Sequence, residues 1–151
     1  MADDGLPVGP ALAEGFAVWP MAGRFVPGLA RIFFRHEGNH LVFGATTEAA
    51  HCNGFGIVHG GFISTLADIW LAYSVAHLLP REAHFATANL QVDFLKGVKA
   101  GQWLESRIDR IVLGSTLCRA SGAIVCAGQA IAGMHATFCR YDPSVREKRM
   151  A

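Results

Sequence analysis

Residues 53–80 read NGFGIVHGGFISTLADIWLAYSVAHLLP, and this stretch decides the fold. From about Gly61 to Leu79 the apolar residues lie on every side of the helix that their spacing predicts, and Pro80 ends it because proline cannot continue a helix. A helix that is apolar on all sides must be enclosed by other structure. The stretch also contains several polar side chains that a lipid-facing helix would not tolerate, so we do not expect a membrane span: Ser64, Thr65, Asp68, Ser74 and His77.

The sequence on both sides of this helix predicts the strands that enclose it. Before the helix, residues 31–35 and 40–45 are β-rich runs around a Glu37-Gly38-Asn39 turn, which is typical of a hairpin. Four further strand-like runs follow the helix and are separated by glycines: 84–95, 102–114, 115–128 and 129–141. Two strands, one long helix and four strands predict an α+β domain in which one antiparallel sheet is wrapped around a central helix.

The length of 151 residues fits one domain. Residues 1–28 contain four of the six prolines, and we expect them to form a Pro/Gly-rich arm that docks loosely on the domain or caps it. Residues 29–142 then form the domain itself. Residues 143–151 are mainly charged, which is typical of a solvated tail.

Composition excludes several classes of function. Lys and Arg number 13 against 12 Asp and Glu, a balance that argues against a nucleic-acid partner. The chain is 52% hydrophobic and only 17% charged, so part of its surface is expected to meet another subunit. Because the first residues lack the form of a signal peptide and the four cysteines form no CxxC pair or zinc-like spacing, we expect a cytoplasmic protein without a metal or cofactor.

Asp68 is the carboxylate that stands out, because it is the only one between Gly60 and Leu79. An isolated carboxylate in an apolar setting is costly unless it has a partner or a function. One interpretation is structural: Asp68 accepts a hydrogen bond from Ser64 or Thr65, one turn earlier. The other interpretation is that Asp68 is catalytic.

The start of the helix is a second candidate. At His59-Gly60-Gly61, free backbone N–H groups and the helix dipole favour a negative oxygen, and glycines let a ligand approach the backbone. One such donor to an oxyanion is typically worth about 3 kcal/mol. The alternative is an ordinary Gly-rich helix entry. Upstream, the amide of Asn53 either orients a substrate or a water, or only forms an Asn-Gly turn.

The spacing of these groups has a geometric consequence. Gly60 and Asp68 are eight residues apart, which along a helix is roughly 12 Å. One carbonyl group cannot easily contact both within one chain. If both act on the same carbonyl group, Gly60 of one subunit must face Asp68 of another, so we expect an active site shared across a dimer.

The segment from Asn53 to Asp68, NGFGIVHGGFISTLAD, resembles the signature of PaaI-type hot-dog thioesterases in its asparagine, its HGG and its LAD. The resemblance extends over about residues 31–140. It implies a hot-dog fold and acyl-CoA thioesterase activity, with Asp68 as general base or nucleophile, the Gly60 amide as oxyanion donor and Asn53 as a positioning group beside His59. It further implies that the hydroxyl of Thr87 helps to hold the attacking water.

Substrate binding is expected to involve the same helix start and a nearby basic turn. His59 and Gly61 are candidate substrate contacts, and Lys96 and Lys99 are candidates for the phosphates of coenzyme A. The protein is expected to be a homodimer that pairs further into a homotetramer.

Two other functions remain open from the sequence. A hot-dog hydratase or dehydratase would move protons on the acyl chain with a histidine and an acid, an arrangement that His59 does not resemble. A non-catalytic acyl-CoA sensor would keep the pocket and lose the carboxylate, and Asp68 counts against it.

Overall fold

A computed structural model describes residues 14–144, which form one antiparallel sheet of seven strands and one long helix. The strands lie in the order β1-β2-β3-β5-β6-β7-β4. The elements are β1 Ala17–Val18, α1 Phe25–Leu29, β2 Phe33–Glu37, β3 His40–Thr46, a 3₁₀ turn Ala49–His51, α2 Gly60–Leu78, β4 His84–Phe94, β5 Trp103–Leu113, β6 Leu117–Cys126 and β7 Gln129–Tyr141.

The sheet curls around α2, as the sequence predicts for an α+β hot-dog fold. The helix contacts every strand from β3 to β7, and the side chains of Leu66, Trp70 and Leu71 are completely buried. Facing them from the sheet are Phe43, Ile124 and Phe138, also fully buried. Buried residues cover most of the helix surface, but one stripe of it is exposed or half-buried in the described chain: Gly61, Ser64, Thr65, Asp68 and Ala72. The sheet of a single chain thus leaves that face of the apolar helix open.

Turn chemistry accounts for two of the strand connections. The β2–β3 hairpin turns at Gly38-Asn39, where Gly38 has φ of +60°, a value that glycine adopts without strain. The β6–β7 hairpin turns at Ala127-Gly128, with φ of +48° and +76°. Ala127 thus carries a side chain in the left-handed region, which costs about 1 kcal/mol or more for a residue other than glycine.

Three register shifts bend the long strands. The pairing skips Ala88 in β4, Asp109 in β5 and Ile131 in β7, so each of these residues lacks a Cα partner on the neighbouring strand. A bulge of this kind bends its strand and increases the local twist. The sheet can therefore wrap around α2.

The described part of the N-terminal region packs on both sides of β2. Strand β1 pairs with β2, and the chain on either side of β1 sends Phe16 to the outer face of the sheet and Trp19 to the inner face. Phe16 lies 5.3 Å from Trp103, and Trp19 lies 5.0 Å from Tyr73 of α2, measured between ring centroids. Phe16 and Trp19 thus anchor this region on the two faces of the sheet. Residues 1–13 of the predicted arm and 145–151 of the predicted tail lie outside the described residues, and the predicted domain boundaries stay a prediction.

Candidate active site

Asp68 meets a hydroxyl group from the far edge of the sheet. It lies half-buried near the middle of α2, and Thr87 of β4 donates its hydroxyl proton to Oδ1 of Asp68 at 2.8 Å. The two residues are 19 positions apart in sequence. The structure therefore brings together two of the residues that the sequence predicts for the site.

The bulge at Ala88 places Thr87 and Asn89 on opposite faces of the sheet. Thr87 pairs with the fully buried Phe138 and lies on the inner face, whereas Asn89 pairs with Thr137 on the outer face. Side chains alternate along a regular strand, so if Ala88 were paired, Thr87 and Asn89 would lie on the same face. The bulge thus lets Thr87 face the helix while Asn89 faces outward, and bulges often occur beside active sites.

Neither of the two local hydroxyls proposed as structural partners, those of Ser64 and Thr65, donates to Asp68 within the described residues. Thr65 donates its hydroxyl to the carbonyl oxygen of Gly61 at 2.9 Å, a common bond within a helix. Oδ2 of Asp68 accepts no hydrogen bond from any residue between 14 and 144. Asp68 therefore offers one carboxylate oxygen held by Thr87 and one that is open to a water molecule or a substrate.

At the start of α2, the side chain of His59 occupies one of the backbone N–H groups that could otherwise bind a ligand. Its Nδ1 accepts a hydrogen bond from the N–H of Gly61 at 2.8 Å, and its carbonyl oxygen accepts from Phe62 and Ile63. Gly61, predicted as a substrate contact, thus has its N–H occupied. The N–H of Gly60 meets no acceptor within the described part of the chain, so it is the amide left for a ligand.

A cleft of about 320 Å³ opens beside Gly60. Phe94 forms one wall, and a methyl group placed on Gly60 would come within 3.1 Å of its ring, so a larger residue would require the ring to shift by a few tenths of an ångström. Lys96 also lines the cleft and donates from Nζ to Oε1 of Gln129 at 2.7 Å. Lys99 lies on the neighbouring turn and does not line the cleft.

Asn53 organises the loop that leads into the helix. Its Oδ1 accepts hydrogen bonds from the N–H groups of Phe55 at 2.9 Å and Ile57 at 3.2 Å, as expected for an Asn-Gly turn. A substrate could reach this side chain only through the amide Nδ2. The structure thus supports the turn interpretation of Asn53 and leaves its positioning role a prediction.

His51 was not predicted from the sequence, although it connects the start of α2 to the segments before it. Nδ1 accepts from the N–H of Glu48 at 2.9 Å, so Nε2 carries the ring proton and donates it to the carbonyl oxygen of Leu29 at 2.8 Å. The ring stacks on Phe62 with centroids 3.9 Å apart, and the backbone oxygen accepts from the N–H of His59. The Glu-x-x-His spacing resembles a capping box and could have drawn attention to it.

Within residues 14–144 no three potential ligands among His, Cys, Asp and Glu lie close enough together to hold a metal ion. Among the helices of the same residues, none combines the length and apolarity needed to cross a membrane.

Comparison with known proteins agrees with this architecture. Residues 55–138 match the family described as the thioesterase superfamily. A Pseudomonas aeruginosa protein, whose name provisionally calls it an esterase, is 30% identical over 128 residues, covering 83% of this chain and 94% of its own.

Solved structures show the same fold. A mutant of the phenylacetic acid degradation protein PaaI from Thermus thermophilus superposes with a TM-score of 0.67 at 24% identity, over 78% of this chain and 98% of its own. A hypothetical thioesterase from Streptococcus pneumoniae, solved with coenzyme A, superposes with a TM-score of 0.66 at 20% identity, over 73% of this chain and 85% of its own.

Proposed function

The chain belongs to the thioesterase superfamily, and from that premise we propose that it hydrolyses acyl-coenzyme A thioesters with Asp68 as the reacting carboxylate. The observation that carries the proposal is the hydrogen bond from Thr87 to Oδ1 of Asp68, which holds one oxygen of a half-buried carboxylate and leaves the other open. The coenzyme A in the Streptococcus pneumoniae relative supports this substrate class.

The chemistry needs one carboxylate and one oxyanion donor. Asp68 takes a proton from water, whose oxygen bonds the thioester carbon. The resulting oxyanion accepts a hydrogen bond from the N–H of Gly60. The C–S bond then breaks, and the thiolate of coenzyme A takes the proton back from Asp68. In the alternative route, Asp68 itself attacks the carbon, the C–S bond breaks and the thiolate of coenzyme A leaves, which gives an anhydride. Water then hydrolyses the anhydride to the free acid and the Asp68 carboxylate, and the proton released goes to the thiolate.

The two groups are proposed to come from different subunits. Gly60 and Asp68 stand roughly 12 Å apart on one helix, too far to contact one carbonyl oxygen and its attacking water together. We infer a dimer in which two β4 edges pair and Asp68 faces Gly60 of the partner subunit. Supporting this arrangement, β4 has 11 residues, bonds only to β7, and leaves its other edge uncovered within the described chain.

Replacing Asp68 with asparagine tests the proposal. Free coenzyme A release is measured by mass spectrometry on short, medium, long and aryl acyl-CoAs, because four free cysteines would react with a thiol reagent. Turnover by Asp68→Asn is expected to fall about 10³-fold, since a positioned general base contributes typically 10²–10⁴-fold. Asp93→Asn, an exposed carboxylate on the outer face of β4, is the matched control and should keep its activity.

Three outcomes would overturn the proposal. Activity retained by Asp68→Asn removes the role of the carboxylate. Hydration of an enoyl-CoA without release of coenzyme A makes the protein a hydratase. Binding of acyl-CoA without turnover by the wild type makes it a sensor. Sedimentation and thermal unfolding of each variant check that assembly and folding are intact.

A further inference from the structure

A second cleft, of about 450 Å³, lies on the outer face of the sheet. It is on the side opposite to Asp68 and Thr87, because Asn89 and Thr137 line it and their side chains point away from α2. We call it the outer cleft, and six polar side chains line it: Asn89, Arg110, Arg119, Ser121, His135 and Thr137.

Strand register arranges these side chains in two neighbouring rows. Arg110, Ser121 and His135 form one row across β5, β6 and β7, since Ser121 pairs with both of the others. Arg119, Thr137 and Asn89 form the next row across β6, β7 and β4. Every residue of both rows can donate a hydrogen bond, and no carboxylate lines the outer cleft.

The two arginines of the outer cleft have no acidic partner among the described residues. Arg110 and Arg119 are diagonal neighbours on adjacent antiparallel strands, a relation that places residues roughly 7 Å apart. Neither guanidinium has an ion pair or hydrogen bond with residues 14–144. Two other arginines of this face differ, because Arg35 lies 3.7 Å from Glu105 and Arg107 lies 3.4 Å from Asp109. Two like charges held side by side without a counter-charge favour an anion between them.

We propose that the outer cleft binds a phosphate-bearing anion of about nucleotide size. Guanidinium groups bind phosphate through two parallel N–H bonds, and hydroxyl and amide donors complete such a site. Its volume falls within the range of about 300–1,000 Å³ usual for small-molecule sites. Exposed Val112 supplies an apolar contact for the rest of the ligand.

Two sources could supply this chemistry. One is the nucleotide end of the coenzyme A substrate, which rests on the proposed function. The other is a free nucleotide bound independently of catalysis. Both carry phosphate groups on a nucleoside, and they differ in whether turnover depends on the site.

Calorimetry with adenosine 3′,5′-bisphosphate tests the site without using activity. Arg110→Gln and Arg119→Gln should each weaken binding at least tenfold, and adenosine without phosphate should not bind. Arg107→Gln, whose charge is already paired with Asp109, should bind within about twofold of wild type. Equal affinity in all four proteins, or binding of adenosine as tight as that of the bisphosphate, would overturn the proposal.

Kinetics then assigns the source. If the nucleotide end of coenzyme A occupies the outer cleft, Arg119→Gln raises KM for acyl-CoA at least fivefold and leaves KM for the matching acyl-pantetheine unchanged. If a free nucleotide occupies it, both KM values stay unchanged while bisphosphate binding is lost. Altered sedimentation of Arg110→Gln or Arg119→Gln without any bisphosphate binding by the wild type would mean that a second copy of the chain covers the face, and would refute the site. An inactive wild type that still binds the bisphosphate leaves the site standing and removes only the proposed thioesterase.

Discussion

The two edges of the sheet are built in opposite ways. At the β1 edge, the strand has only two residues, and Phe16 and Trp19 pack on its two sides. At the β4 edge, the strand has 11 residues, and most of its side chains are exposed. Phe94 at its end is 59% exposed and Leu95 just beyond it is 62% exposed.

The difference between the two edges indicates that they have different roles, one in folding stability and the other in chemistry. A long uncovered edge presents unpaired N–H and C=O groups, which proteins usually shorten, cover or charge. The β1 edge is only two residues long and is flanked by the packed side chains of Phe16 and Trp19, so it ends the sheet. The β4 edge carries Thr87, the partner of Asp68, and runs on to Phe94 beside Gly60. We therefore expect the β1 edge to support folding and the β4 edge to support assembly and turnover.

The largest expected effect is at the β4 edge. The double variant Ala86→Asp with Ala88→Asp places two carboxylates on exposed positions of this strand. Burying them unpaired in the proposed dimer should raise its dissociation constant by about 10³-fold, or roughly 4 kcal/mol. Sedimentation velocity over a concentration series measures the change. Val18→Asp on β1 is the matched control and should leave assembly unchanged; equal sedimentation of the double variant and wild type would contradict the dimer.

The next effect is at the β1 edge. Trp19→Ala removes ring contacts to Phe34, Phe43 and Tyr73, whose centroids lie 4.9, 5.3 and 5.0 Å away. The free energy of unfolding should fall by about 2–3 kcal/mol, with assembly retained. Urea unfolding at fixed protein concentration measures it. Phe25→Ala, at a residue that is 71% exposed, is the control and should change the free energy of unfolding by less than about 0.5 kcal/mol. A larger loss for Phe25→Ala would contradict the assignment of this stability to the ring contacts of Trp19.

A smaller effect separates the hydroxyl of Thr87 from the strand that carries it. Thr87→Val keeps the shape of the side chain and removes its donor to Asp68, so kcat should fall about tenfold to a hundredfold, since a hydrogen bond to a charged group is worth about 1.5–3 kcal/mol. Steady-state kinetics with the best acyl-CoA gives the value. Thr87→Ser restores the donor and should stay within about threefold of wild type. Identical losses in both variants would show that packing, not the hydrogen bond, is responsible.

The smallest effect lies away from both edges. Ala127→Asn changes the β6–β7 turn to Asn-Gly, whose residues tolerate the positive φ angles observed there. The free energy of unfolding should rise by about 0.5–1 kcal/mol with assembly and turnover unchanged. Thermal or urea unfolding detects the gain. Ala127→Val should lower stability instead, because a β-branched side chain fits this conformation poorly.

Much of the fold follows from local patterns. The helix predicted over about 61–79 lies at Gly60–Leu78, and the predicted β2–β3 hairpin and four later strands are also present. These elements have strong periodicity and clear punctuation by glycine or proline. The two-residue β1 was not predicted, because its pairing depends on contacts with β2 and no periodicity marks so short a strand.

The site could be predicted only in part. Asp68 and the helix start stand out in the sequence, because a lone charge and paired glycines are local signals. Three further facts depend on contacts: the Nδ1 of His59 occupies the N–H of Gly61, His51 joins three segments, and a skipped residue places Thr87 and Asn89 on opposite faces. The first two facts are hydrogen bonds between side chain and backbone, and the third is an irregularity in the pairing of two strands, so composition and spacing alone do not predict them.

Ala88 is the one residue of β4 that the pairing with β7 skips. Side chains alternate between the two faces of a strand, and the unpaired residue changes the inward positions from odd residue numbers to even ones. Phe85 and Thr87 therefore share the inner face with Leu90 and Val92. Deleting Ala88 would therefore straighten the strand and leave Thr87 facing Asp68. Ala86, in contrast, is paired with β7. Deleting it would move Phe85 into the outward position that Ala86 now occupies and would expose a ring that packs on Phe138. Two alanines separated only by Thr87 thus differ in what their loss would do to the core.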